Sequence, residues 1–376
     1  MNKNLKYLYK KARSPFKVVK LFIKKQLGFL GVPVIVPYTA YGNHEKIFIT
    51  GAVVEDKGLA KPKEGQKLWK NILAMIKRYS GDEIAGARVR VTFKDHSEIV
   101  RTNEDGLFHT ILPVNGSISG IRTWDSIAYS FVDQIIEGQD KGEITGPVHF
   151  PRPGADFMVV SDIDDTVLIS HSTKVFRKLR LMLFKNALTR SPFEGVAAFY
   201  KALTQPSNGG QRSVFYVSAS EWNLYDLLVD FFAFRGIPRG PLLLSDTKMK
   251  LTRFWRSGKS HNEKVDKIKD LFEFYPKRDF ILIGDSGQKD PEIYLEILEM
   301  FPSRVKAIYI RHIGSKKINK RLSDIIKEAG ELGAEMILAR STIEAARHAA
   351  EKGYIRKELV EGIRSEKYFE EQKPVL

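Results

Sequence analysis

Residues 157–166 read Phe-Met-Val-Val-Ser-Asp-Ile-Asp-Asp-Thr, an apolar run that stops at three carboxylates crowded into four positions. Phe157 to Val160 is too short for an independent helix and is bounded by Pro151, Pro153 and Gly154, so it reads as a fully buried, parallel strand. In open α/β sheets, ligands bind just past the carboxyl ends of such strands, which makes Asp162 and its neighbours the first candidates for chemistry. Crowded acids repel one another unless protons or a cation hold them. A solvated acidic turn is the bland alternative, but such turns usually lack a core strand feeding them. Asp162, Asp164 and Thr166 form the pattern D-x-D-x-T, in which a first Asp can attack phosphorus while the second protonates the leaving oxygen. A divalent, oxygen-seeking ion, Mg²⁺, would screen nucleophile from phosphate.

Further strands follow the same logic. Ser213 to Val217, Pro241 to Leu244, Phe280 to Ile283, Val305 to Arg311 and Glu335 to Ala339 are short apolar runs, and residues 342–352 read as a closing helix. The run from Phe280 ends at Gly284-Asp285, which brings a second acid to the sheet edge that carries Asp162. The stretch 282–294, Leu-Ile-Gly-Asp-Ser-Gly-Gln-Lys-Asp-Pro-Glu-Ile-Tyr, together with D-x-D-x-T, resembles the haloacid dehalogenase-like superfamily. Within that superfamily the chain is most similar to the phosphatidate phosphatase App1 catalytic domain family, over roughly residues 150 to 352.

That resemblance implies a doubly wound α/β phosphatase domain, set at residues 151–354, with a charged tail at 355–376. It implies that Asp162 is the nucleophile and Asp164 the general acid and base. Mg²⁺ would be held by Asp162, the backbone carbonyl of Asp164 and Asp285, with Asp290 orienting metal-bound water or the lysine. Ser218, at the end of the second strand, would hydrogen-bond the phosphoryl oxygen, with Ser220 in reserve. Without the family, Ser220 reads as a helix N-cap and Asp290 as an N-terminal helix acid before Pro291. The phosphate-neutralising lysine is assigned to Lys264, in a helix opening at His261 with Val265, Ile268 and Leu271 or Phe272 inward; Lys248 and Lys250 are the alternatives. Asp165 has no derived role beyond a hydrogen bond behind the site. In this superfamily an insertion after the first strand forms a cap, which places residues 171–195 there; an amphipathic helix packed on the core is the plainer reading of their basic, apolar pattern.

The 376 residues are enough for two domains, and 43% apolar content supplies ordinary cores. Cysteine is absent, which excludes disulfides, zinc–thiolate sites and thiol catalysis. The net charge of +16 favours anionic partners, and nine basic residues, Lys3 to Lys25, precede the first acid, Glu45. With Phe16, Val19, Ile23 and Leu27 at helical spacing, residues 1–30 read as a basic amphipathic helix suited to an anionic membrane surface, or else as a solvated arm. Its aromatics resemble an amphipathic face more than a base-stacking platform, so nucleic acid is disfavoured.

Residues 31–150 show short alternating runs, Ile47 to Val54, Ala87 to Phe93, Glu98 to Thr102 and Leu107 to Leu112, with a hairpin signal at Asn103–Gly106 and a helical stretch at 67–78. They read as a small β-sandwich-like domain without a catalytic constellation. The expectation is a Mg²⁺-dependent phosphomonoester hydrolase acting on phosphatidate, cytoplasmic and peripheral on the inner face of the membrane. A phosphatase of soluble metabolites, or a membrane- or polyanion-binding adaptor, is the alternative.

Overall fold

The computed structural model describes residues 27, 29–56, 83–114, 122–137, 139, 142–163, 195–205, 211–245, 258–312 and 320–371. The chain divides into two compact units, Met1–Phe150 with Tyr225–Leu227, and Pro151–Leu224 with Leu228–Leu376. The basic segment 1–26, the helical stretch 67–78 and the cap segment 171–194 lie outside the described residues.

Among its described residues up to Phe150, the first unit holds eight strands: β1 (Val32–Pro37), β2 (Ala40–Gly42), β3 (Lys46–Asp56), β4 (Arg88–Phe93), β5 (His96–Arg101), β6 (Leu107–Pro113), β7 (Trp124–Phe131) and β8 (Ile144–His149). Alternation places Val89, Val91 and Phe93 of β4 inside while Arg88, Arg90 and Thr92 are more exposed. Ile35, Ala40, Ile49, Val91, Val100, Phe108, Tyr129 and Val148 share one buried cluster, so all eight strands feed a single core. The strands form one mixed sheet ordered β1-β3-β2-β8-β7-β4-β5, with β6 on β3, in place of the two separate sheets that a sandwich implies. The turn at Asn103–Gly106 forms, its Asn103 Oδ1 accepting from Asp105 N at 2.9 Å and Leu107 N at 3.0 Å. It is not a hairpin, because β5 pairs with β4 while the backbone groups of β6 are taken by β3.

The second unit holds β9 (Phe157–Asp162), β10 (Val214–Glu221), β11 (Leu242–Ser245), β12 (Asp279–Asp285), β13 (Val305–Arg311) and β14 (Glu335–Ala339). Its helices are α1 (Val196–Thr204), α2 (Tyr225–Arg235), α3 (Gly258–Phe274), α4 (Asp290–Met300), α5 (Lys320–Glu331), α6 (Thr342–Glu351) and α7 (Leu359–Glu371). All six strands are parallel, in the order β11-β10-β9-β12-β13-β14. The α/β character and the parallel sheet therefore match the sequence expectation. Every residue of β9 is buried, and β12 is buried from Phe280 onward, as strands covered on both faces must be.

Helix α3 begins at Gly258 rather than at His261, so Lys264 lies in its second turn. Val265, Ile268, Leu271 and Phe272 are all buried, which fixes the helix's rotation on the sheet. Arg304 donates to the carbonyls of Phe272 (2.9 Å) and Tyr275 (2.6 Å), satisfying acceptors at the helix's C-terminal end. Lys264 is thereby held at a fixed depth. Among the described residues no helix is long and apolar enough to cross a membrane.

Candidate active site

Chain order reverses around β9: β10 and β11 lie to one side, β12 to β14 to the other. The crevice beyond the carboxyl ends of β9 and β12 is where such a sheet binds ligands, and both strands end in aspartate. Asp162 and Asp285 are fully buried, as is Asp290, the first residue of α4. One carboxylate oxygen from each of these three lies within 4.8 Å of the others.

Lys264 is buried among them. Its Nζ is 2.6 Å from Asp162 Oδ1 and pairs with Asp290 Oδ1 as well. Burial alone pushes the ammonium's pKa down, but the charges of Asp162 and Asp290 outweigh it and hold the pKa well above the usual lysine range. Lys264 is therefore a fixed cation. Asp290 uses its other oxygen, Oδ2, to accept from Asp285 N at 3.0 Å. Asp285 Oδ1 in turn accepts from Gly287 N (2.6 Å) and Gln288 N (3.0 Å), which turns the chain from β12 toward α4.

Gly284 makes this possible. A Cβ at that position would lie 2.4 Å from Asp290 Oδ2 and 2.8 Å from its Cγ, so only glycine leaves room for the carboxylate to fold back over β12. The close approach is made by a side chain, which the sequence alone does not distinguish from a backbone approach.

Three buried carboxylates against one ammonium leave a formal charge of −2. A hard divalent cation would balance it, and the donor set is entirely oxygen. Asp162 and Asp285 fit as ligands. Both oxygens of Asp290 are engaged, one by Lys264 and one by Asp285 N, so its geometry suits orienting the lysine.

Ser218 is fully buried one residue beyond Val217, which pairs with Asp162 across β9 and β10. Its Oγ accepts from Ser220 N at 2.8 Å. Ser220 itself belongs to β10, and the N-cap position of α2, which begins at Tyr225, is held by Leu224. Asp290 does occupy the first turn of α4, where a negative charge is favoured by the helix dipole. Asp164, Asp165, Thr166, Lys248 and Lys250 lie outside the described residues.

Three supporting residues escaped the sequence reading. Lys267, one turn beyond Lys264, donates to Ser218 O at 3.1 Å and pairs with Glu263 at 3.1 Å. The i, i+3 spacing of Lys264 and Lys267 on one helix is the signal that would have found it. The Tyr200 hydroxyl lies 2.6 Å from Ser161 Oγ, and Tyr294 donates to Ile283 O at 2.7 Å. Burial first, then the neighbouring acids, pushes both phenols far above their usual range, so they act as neutral hydrogen-bonding posts behind β9 and β12.

Residues 157–312 match the phosphatidate phosphatase APP1 catalytic domain. Over 183 residues, 48% of this chain, the sequence is 32% identical to phosphatidate phosphatase APP1 of Saccharomyces cerevisiae, and covers 30% of that protein. An uncharacterized protein of Schizosaccharomyces pombe is 24% identical over 267 residues, 69% of this chain and 41% of its own length. The chain thus spans well under half of either relative. Among solved structures, a carbohydrate acetylesterase from Xanthomonas citri covers 82% of this chain and 68% of its own, at TM-score 0.28 and 11% identity, too slight a likeness to bear on the fold. The segment that carries Asp162, Ser218, Lys264, Asp285 and Asp290, residues 157–312, is the part of the chain that matches the phosphatidate phosphatase APP1 catalytic domain family.

Proposed function

We propose that the chain is a Mg²⁺-dependent phosphatidate phosphatase, on a haloacid dehalogenase-like doubly wound sheet, that converts phosphatidate to diacylglycerol and phosphate. The convergence of Asp162, Asp285, Asp290 and Lys264 at the point where strand order reverses carries this reading. Phosphoryl transfer needs positioning and charge stabilisation above all, and this arrangement offers both.

A carboxylate oxygen of Asp162 attacks phosphorus, and the bond to the leaving glycerol oxygen breaks as that oxygen takes a proton from Asp164. The aspartyl-phosphate on Asp162 is then attacked by water, which gives its proton to Asp164. The bond between Asp162 and phosphorus breaks and phosphate departs. Asp162 and Asp285, with the Asp164 backbone carbonyl, would hold Mg²⁺. When bound, the ion supplies positive charge against the phosphoryl oxygens. Lys264, kept cationic by its two acids, and Ser218 hold the phosphoryl group. Asp290 fixes the ammonium in place. The nine basic residues from Lys3 to Lys25 draw the enzyme to an anionic membrane surface on its cytoplasmic side.

The test is phosphate release, with Mg²⁺ present, from phosphatidate in mixed micelles and from soluble phosphomonoesters, with Asp162→Asn as the blank. Preference for the micellar lipid, lost in the variant, is the expected result. Turnover of soluble esters alone would remove the lipid assignment. No Asp162-dependent turnover at all would leave an adaptor.

A further inference from the structure

The carboxyl end of β10 does not finish as a regular strand. Val217 pairs with Leu243 of β11, but the next pairing is Glu221 with Ser245, so three residues of β10, Ser218 to Ser220, stand opposite one of β11. On the other side, the pairing of β10 with β9 ends at Val217, opposite Asp162. A bulge of this kind interrupts the hydrogen-bond ladder and re-aims side chains, and bulges gather beside active sites. This one contains Ser218, which is fully buried and whose Oγ accepts from Ser220 N at 2.8 Å.

Side chains of α3 bridge the interruption. The Ser245 hydroxyl donates to Glu263 Oε1, and Lys267 Nζ pairs with the same carboxylate oxygen at 3.1 Å. Lys267 then donates to Ser218 O at 3.1 Å. An i, i+4 ion pair on a helix surface contributes little by itself, but both partners here continue inward, Glu263 to the end of β11 and Lys267 to the bulge of β10. The Lys267 side chain is only 16% exposed, against 45% for Lys269 on the same helix. Three residues before Lys267, the same helix supplies Lys264 to Asp162 and Asp290.

From this geometry we infer that Lys267 is a positioning residue for the phosphoryl site: through the Ser218 carbonyl it fixes the bulge, and with it the direction of the Ser218 hydroxyl. Both groups that hold the phosphoryl oxygens are then referenced to one rigid helix, Lys264 directly and Ser218 through Lys267. This deepens the phosphatase reading and rests on its assignment of Ser218.

The test is a double-mutant cycle in the full-length protein between Lys267→Met, which keeps the aliphatic stem and removes the ammonium, and Ser218→Ala, with dioleoyl phosphatidate in mixed micelles as substrate. Ser218→Ala is expected to lower kcat/KM about 100-fold and Lys267→Met about ten-fold. Because Lys267 acts through Ser218, the double variant should stay near the Ser218→Ala level, about 100-fold down, and not reach the product of about 1,000-fold. Lys267→Arg, which keeps a cationic donor, should recover most of the ten-fold loss. Amide hydrogen exchange gives a readout that needs no turnover: in Lys267→Met the Ser220 N–H should exchange about ten-fold faster while the amides of β12 keep the parent's rates. Multiplying losses in the cycle, or an unchanged Ser220 amide, would overturn the inference. Should the parent release phosphate from no ester, the phosphatase reading fails, and exchange alone decides the clamp: acceleration confined to residues 218–221 supports it, and unchanged exchange refutes it.

Discussion

Replacing Gly284 with alanine places one methyl group where the site has no room for it. The new Cβ would lie 2.4 Å from Asp290 Oδ2, 2.7 Å from its Cβ and 2.8 Å from its Cγ. Optimal non-bonded separation is about 3.5–4 Å, so the carboxylate must retreat by about 1 Å. It cannot swing aside as an exposed tip would, because one oxygen is held by Lys264 and the other by Asp285 N. Retreat breaks the 3.0 Å bond to Asp285 N and loosens the lysine. A lost hydrogen bond to a charged group costs about 1.5–3 kcal/mol, and overpacking adds about 1–3 kcal/mol. Together they amount to about 2.5–6 kcal/mol, a large fraction of the stability of an ordinary domain. A 1 Å shift of the group that positions Lys264 should also cost activity about 100-fold. Urea unfolding followed by tryptophan fluorescence, alongside phosphate release, measures both. In an Asp290→Ala background, which removes the obstructing carboxylate, the stability cost of Gly284→Ala should largely vanish. A Gly284→Ala protein within about 1 kcal/mol of the parent and within about three-fold of its activity would refute the argument that glycine is there for Asp290.

Three other outcomes follow from the same geometry. Lys264→Met leaves Asp162 and Asp290 buried without their cation and should lower unfolding free energy by about 3–5 kcal/mol, part of it restored by adding Asp290→Asn, as urea titrations of the three proteins will show. Removing divalent ions with EDTA should abolish phosphate release and Mg²⁺ should restore it, while thermal unfolding shifts upward by an amount equivalent to about 2.7 kcal/mol at 100 times the dissociation constant, a shift that Asp285→Asn should lose. Away from the site, burial raises the Asp156 carboxyl but the bidentate contact with Arg212, at 2.6 and 2.8 Å, more than reverses this and leaves it below its usual range. Its contribution is therefore present above the ordinary carboxylate range and lost as pH falls through the depressed value. The stability gap between parent and Asp156→Asn, about 1 kcal/mol after allowance for solvent screening, should close as unfolding is measured at progressively lower pH.

What was legible in the sequence was the part written in single-element patterns. A buried apolar run ending in acid gives β9 and β12, and the bounds of β13 and β14 at Val305–Arg311 and Glu335–Ala339 coincide with the runs read from composition. Partnerships between distant segments were less legible. The turn at Asn103–Gly106 has the chemistry of a hairpin, but its flanking strands find other partners because β3 takes β6. Strand β8 was not anticipated, since Gly146 and Pro147 interrupt its pattern. Gly146 packs so closely that a Cβ would meet Pro37 Cβ at 2.4 Å, a contact that no local pattern records. The start of α3 was placed at His261 because the apolar repeat begins at Val265, whereas helical backbone extends to Gly258 without adding buried apolar residues of its own to that repeat. For the site, residue types and order pointed to Asp162, Lys264, Asp285 and Asp290. That Asp290 grips both Lys264 and the backbone of Asp285 is a matter of three-dimensional reach.

The most direct measurement is to mix the protein with phosphatidate labelled in its phosphorus, quench in acid during turnover, and map the labelled peptide. Nucleophilic attack by Asp162 requires an acid-stable, hydroxylamine-labile phosphoryl group on the peptide that contains Asp162, absent from Asp162→Asn. Sustained Asp162-dependent phosphate release with no label on that peptide would contradict it.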